Sequence, residues 1–118
     1  MAKIGKTINN VIRGDTRQVT CVFLQSDGST PIDISGGTVY FTVSASENPS
    51  SDASAVIQKI ATSFTSPTAG THTFTLTHDD TNIEPGSYWY DSEFIDTSNN
   101  YLSSYRGRFI VQSDTTRT

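Results

Sequence analysis

One stretch limits what this chain can fold into more than any other: Glu84-Pro85-Gly86-Ser87-Tyr88-Trp89-Tyr90-Asp91-Ser92-Glu93-Phe94-Ile95. It opens on a Pro-Gly turn and then alternates with a period of two. Tyr88, Tyr90, Ser92 and Phe94 fall on one face, and Trp89, Asp91, Glu93 and Ile95 on the other. Adjacent large rings of this kind bury about 150–250 Å² each. The stretch is therefore expected to be the central strand of a sheet, with Tyr88, Tyr90 and Phe94 turned to the core.

The rest of the 118 residues agrees with pleated structure. There are 18 Thr and 16 Ser against 3 Lys and 3 Glu, so strong helix formers are scarce where β-branched and aromatic residues fill the periodic segments. Residues 6–12 read as a first strand or an extended arm. Arg13-Gly14-Asp15-Thr16 is a tight turn, with Gly14 supplying a free φ and Asp15 a capping-type side-chain bond. Val19, Cys21 and Phe23 alternate up to the Asp27-Gly28 turn. Ile32 and Ile34 are expected to plug the edge of the core, and Val39, Phe41 and Val43 to point inward from the next strand. Residues 44–54 read as an exposed loop, 55–61 as an edge strand and 63–69 as a second loop or short strand. His72, Phe74 and Leu76 alternate inward, and residues 78–83 make one helical turn capped by Asp79 or Asp80. Residues 96–100 form a hairpin turn, and the last strand brings in Phe109 and Val111. About seven short strands separated by turn signals predict an all-β, two-sheet, Ig-like antiparallel sandwich at 13–112. A strand or arm at 1–12 precedes it, and a polar tail at 113–118 follows.

Chemistry is thin. The single Cys21 permits no internal disulfide and sits in phase with Val19 and Phe23, as a small buried hydrophobe would. His72 and His78 lie roughly 20 Å apart along an extended strand and share no metal. His78-Asp79-Asp80 lacks the regular acidic spacing of a calcium loop. Asp91 and Glu93 fall about 7 Å apart on one strand face, near the separation of an inverting glycosidase pair. A flat strand face offers neither a cleft nor unequal environments, so they read as solvated acids. No catalytic residue, metal site or cofactor is expected. Phosphate-loop motifs and basic aromatic stripes are missing, and between residues 18 and 105 Lys59 is the only base among ten acids. Nucleic acid is therefore not an expected partner. No apolar run approaches the ~20 residues of a membrane span, nor is there an apolar signal region, so synthesis and folding in a cytoplasm, off the membrane, are expected.

The motifs taken in order resemble a known family. Ile12-Arg13-Gly14-Asp15-Thr16, Asp27-Gly28, Pro31-Ile32-Asp33-Ile34 and Gly37-Thr38-Val39-Tyr40-Phe41-Thr42-Val43 are similar to the N-terminal module of phage baseplate upper proteins. Gly70, Phe74-Thr75-Leu76, Asp80-Thr81, Pro85-Gly86-Ser87-Tyr88-Trp89-Tyr90-Asp91 and Gly107-Arg108-Phe109 continue the likeness. It runs from about Ile12 to Val111 and departs from the family at His72, where a small apolar residue is usual. The resemblance implies a non-enzymatic Ig-like module of a tailed-phage virion, made in the host cytoplasm. Such a module is held in multiple copies on a tail, baseplate or head surface by contacts with other virion proteins and with itself. Lys3, Ile4, Lys6, Ile8 and Trp89 are the candidate interaction residues. Gly14, Asp15, Phe74, Leu76, Pro85, Gly86, Tyr88, Tyr90, Phe94 and Phe109 are the candidate core and turns. Two alternatives stand beside this reading. One is a carbohydrate-binding tail module that stacks sugar on an exposed Trp89. The other is an adhesion domain like fibronectin type III, which the Pro85-Gly86-Ser87-Tyr88 corner also resembles; Arg13-Gly14-Asp15 matches an integrin-binding tripeptide, but turn chemistry explains its Gly and Asp.

Overall fold

A computed structural model describes residues 3–4, 7–25, 27–45 and 55–113, with the side chains of 3, 4 and 103–105 excepted. The period-two segments become strands. They are β1 (Lys3–Ile4), β2 (Ile8–Ile12), β3 (Arg17–Val22), β4 (Thr38–Ser44), β5 (Ala55–Ala61), β6 (Thr71–Leu76), β7 (Gly86–Ile95) and β8 (Tyr101–Gln112). One 3-10 turn (Pro67–Ala69) and one short helix, α1 (His78–Thr81), complete the set. The large sheet runs β1-β8-β7-β4-β5, with β2 also on β8, and the small sheet is β3 with β6. The aromatic stretch is indeed the middle strand of its sheet. The expected all-β sandwich is present, with two lopsided layers.

The inward faces meet as the alternation requires. Val39, Phe41 and Val43 from β4, Phe94 from β7, and Phe109 and Val111 from β8 are buried against Val19 and Cys21 of β3 and Phe74 and Leu76 of β6. Each such side chain contributes about 1.5–3 kcal/mol of apolar transfer. Phe41 is the hub: its ring lies 6.2 Å from that of Phe74 across the sheets, 5.8 Å from Tyr90 and 6.3 Å from Phe109. Tyr88 and Tyr90, expected as the main core rings, are only half-buried. Burial along β7 is complete only in its second half, at Ser92 and Phe94, and the central position belongs to Phe41. Phe23 and Ile34 fill the space beside the small sheet, as expected of the connector.

Gly70 joins that connector to the core. Its φ is +65°, and a Cβ there would stand 2.5 Å from the Phe23 carbonyl oxygen and 2.6 Å from that of Ile32. Only glycine permits both the left-handed conformation and the close backbone approach.

The N-terminal segment forms a strand, one of the two forms expected of it, but its pairing departs from the expected antiparallel arrangement. Ile8, Val11 and Ile12 pair in parallel with Phe109, Val111 and Gln112, and Lys3 and Ile4 with Tyr105 and Arg106. The sandwich is thus not purely antiparallel, and its boundary precedes residue 13. Val11 is fully buried and Ile8 packs against the core, so β2 is part of the fold and Ile8 is not an outward anchor. A bulge between Ile8 and Val11 places Asn10 at φ +57°, a conformation asparagine tolerates. The Arg17 guanidinium donates to the carbonyls of Asn9 (3.1 Å) and Asn10 (3.3 Å), satisfying groups next to the break in the ladder.

Local capping differs in one detail. The N-cap of α1 is Thr77; its hydroxyl accepts from the Asp80 N–H, and the Asp80 carboxylate accepts from the Thr77 N–H at 2.8 Å. This reciprocal arrangement makes Asp80 the third helical residue of a capping box, not the cap itself. Burial pushes the Asp80 carboxyl up, but the Thr77 N–H and the Lys59 ammonium at 3.0 Å outweigh it and hold the group below its ordinary value. At the hairpin, Asp96 accepts from the N–H groups of Ser98 and Asn100, both at 2.8 Å, which fixes the turn as expected.

At the Pro85-Gly86 corner the Tyr88 hydroxyl donates to the Glu84 carbonyl at 2.6 Å, closing the entry to β7 in the manner of a tyrosine corner. Tyr88→Phe should leave the fold intact and lower its stability by about 0.5–1.5 kcal/mol, the net worth of one hydrogen bond. Urea unfolding monitored by tryptophan fluorescence measures it. An unchanged midpoint would mean that the bond does not hold the corner.

Candidate functional site

Among the described residues, the outward face of the large sheet is the broader of the two outer sheet faces. Its register places side chains in rows. Tyr40 stands between Ile60 of β5 and Glu93 of β7, and Thr42 between Gln58 and Asp91. Across β7 and β8, Trp89 is opposite Arg108, Asp91 opposite Arg106, and Ile95 opposite Tyr101. Ile60, Tyr101 and Val56 are exposed. The face therefore mixes exposed apolar and aromatic side chains with polar and opposite-charge neighbours, a composition suited to contact with another protein surface.

Trp89 sits at one end of this face. The Arg108 guanidinium carbon lies 5.6 Å from the centroid of its ring, and the same guanidinium donates to the Ser87 hydroxyl at 2.5 Å and 3.2 Å. The indole is half-buried. Sugar stacking needed an exposed indole without protein contacts, and Arg108 already occupies this one. The signal was in the sequence as Arg108, but only the β7–β8 register brings it over the ring.

Asp91 and Glu93 share the face, as their spacing requires. They stand in the middle of a continuous sheet with strands on both sides, opposite Arg106 and Ser103 respectively. Among the described residues no group of three or more His, Cys, Asp or Glu is placed to hold a metal ion. Cys21 is buried, its thiol pushed up to about 11 by burial despite a hydrogen bond with Ser92. That keeps it a thiol at neutral pH.

Arg13-Gly14-Asp15 is docked on α1. The Gly14 N–H donates to the Thr81 carbonyl (3.2 Å), and the His78 Nδ1–H donates to the Gly14 carbonyl at 2.6 Å. Gly14 has φ +85°, and a Cβ there would press on the His78 ring at 3.3 Å. The hydroxyl of the fully buried Thr81 donates to the Asp15 carbonyl at 2.7 Å. Arg13 reaches Asn82 (3.2 Å) and Glu84 (3.9 Å). Asp15 was expected to act through its side chain. Its backbone holds the turn instead, donating to the Ile12 carbonyl at 3.0 Å, and its side chain is exposed.

The remaining candidates are soon placed. Lys3 and Ile4 are tied to β8 through their backbone, while Lys6 and the tail at 114–118 lie outside the described residues, as do residues 46–54 of the expected loop. The two histidines have separate tasks. The His72 ring packs edge-on against Phe74 (4.5 Å) and Phe64 (5.7 Å), and its Nδ1 accepts from the Thr65 N–H at 3.2 Å.

Burial lowers the His72 pKa below its ordinary value, and accepting from Thr65 also requires the neutral ring. The unfolded chain therefore binds the proton first. Stability is full above the ordinary histidine pKa of about 6.5 and falls as the pH drops from there toward the lower folded value. The Asp80 and Asp96 carboxyls, held low in the fold, titrate below this window. Acidification from about pH 7 to pH 5 should lower the melting temperature, and less so in His72→Gln. Equal losses in the two proteins would show that His72 does not carry the effect.

No known family model matches the chain, and a search of curated proteins finds no similar one.

Proposed function

We propose that this chain is a non-enzymatic structural protein of a tailed-phage virion. It is an Ig-like module bound in multiple copies to a tail, baseplate or head surface by contacts with other virion proteins and with copies of itself. One observation carries the reading: the motifs that resemble the baseplate upper protein module fall, in order, on the parts of one sandwich that need them. Arg13-Gly14-Asp15 makes the turn docked on α1, residues 38–43 the core strand β4, and Pro85-Gly86-Ser87-Tyr88 the locked corner. An outer face with exposed Ile60, Tyr101 and Val56 supports a role in protein contact. Asp91 and Glu93 stand in mid-sheet on a strand face with paired strands on both sides. The Trp89 indole lies under Arg108, which removes the feature favouring sugar binding, and Arg13-Gly14-Asp15 is engaged in folding.

Purified particles of the phage encoding this chain provide the test. Quantitative mass spectrometry should find it in intact virions at several copies per particle, and labelling should place it on the tail, baseplate or head surface. Its absence from particles that contain every other structural protein would overturn the reading.

A further inference from the structure

Sheet edges are liabilities, because unpaired N–H and C=O groups template further strands. Several edges of this sandwich are managed. The Thr73 N–H on the outer side of β6 is taken by the Thr65 hydroxyl at 3.0 Å, and Ser66 bridges to Thr71. On the far edge of the large sheet, β2 is broken by the bulge at Asn10. The opposite edge, β5, carries a bulge of its own at Val56, followed by a regular run. Among the described residues β5 is paired to β4 alone, in regular register from Ile57 to Ala61. It holds no proline. Its one charge, Lys59, faces inward and is bound to Asp80 at 3.0 Å. On the outward face Val56 is 40% exposed and Ile60 58%.

The strand reads Ala55-Val56-Ile57-Gln58-Lys59-Ile60-Ala61, so that about Gln58 Ala55 mirrors Ala61, Val56 mirrors Ile60, and Ile57 mirrors Lys59. An antiparallel pair centred there sets Val56 against Ile60, Ala55 against Ala61, and Ile57 against Lys59, and repeats each contact by symmetry. We propose that β5 pairs antiparallel with β5 of a second copy about a twofold axis at Gln58, joining the two large sheets into one. Within the regular run from Ile57 to Ala61, opposed residues have the same parity, so main-chain groups pointing out of one edge meet groups pointing out of the other. The apolar pairs cover both exposed side chains. The lysines face isoleucine stems instead of each other, each already neutralised by Asp80, so no like-charge repulsion opposes the contact. A second copy is the occupant because the edge is complementary to itself. This deepens the multi-copy role proposed above, but the pairing itself does not require a virion.

Sedimentation equilibrium of the 118-residue chain, in a series reaching about 1 mM to capture a small interface, should show a monomer–dimer equilibrium. Val56→Lys and Ile60→Lys, changes at exposed positions, should each raise the dissociation constant about tenfold or more with unchanged circular dichroism and melting. Register is read by cross-linking. Directly opposed strand residues lie about 4.5–5.5 Å apart, within disulfide reach. Gln58→Cys should therefore give a linked dimer on mild oxidation. Val56→Cys and Ile60→Cys should link when mixed, and neither should link alone. A chain that stays monomeric at the highest concentration, a dimer indifferent to both lysines, or cross-links in another register would each overturn the proposal. A monomer that is still found in particles would sink the pairing and leave the virion reading standing. A β5-linked dimer in a chain absent from particles would do the reverse.

Discussion

The sandwich depends on the contact of Phe41 with Phe74, Tyr90 and Phe109. Phe41 is fully buried on β4 and is the place where the large sheet and the two-stranded small sheet touch through aromatic rings. A two-stranded sheet has little independent stability in water. β3 and β6 persist because their inward residues, Val19, Cys21, Phe74 and Leu76, are buried against the larger layer. The remaining cover comes from non-strand segments, with Phe23 and Ile34 lodged beside the small sheet and Gly70 letting their backbone close in.

How far this was readable depends on the range over which each signal acts. Alternation is local, so Val39, Phe41 and Val43, and likewise Phe74 and Leu76, could be assigned inward before any partner was known. Turns with their own side-chain chemistry, such as Asp27-Gly28 and Asp96 through Asn100, were equally legible. Pairing was not. Nothing near residues 8–12 signals that they lie parallel to β8, because parallel neighbours are not joined by a hairpin turn. Capping misled for a related reason: Thr77 and Asp80 both carry suitable oxygens, and only backbone geometry tells the cap from its reciprocal partner. The site was harder still. Trp89 was visible as a lone indole, but its contact with Arg108 spans two strands, and the docking of Gly14 on His78 joins residues 64 apart in the chain.

Function here turns on which surfaces are already used. The Arg13-Gly14-Asp15 turn, the Trp89 ring and the Ile8 side chain are each engaged within the chain. Among the described residues, Val56, Ile60, Tyr101 and Leu102 are the exposed large apolar side chains.

The joining of the two layers through Phe41 is most directly tested by a double-mutant cycle on Phe41→Leu and Phe74→Leu, with stabilities from urea unfolding. Ring pairs of this kind are worth about 0.5–1.5 kcal/mol beyond their area, so the two losses should fall short of additivity by about that amount. Additive losses within about 0.3 kcal/mol would contradict the view that these rings hold the sheets together.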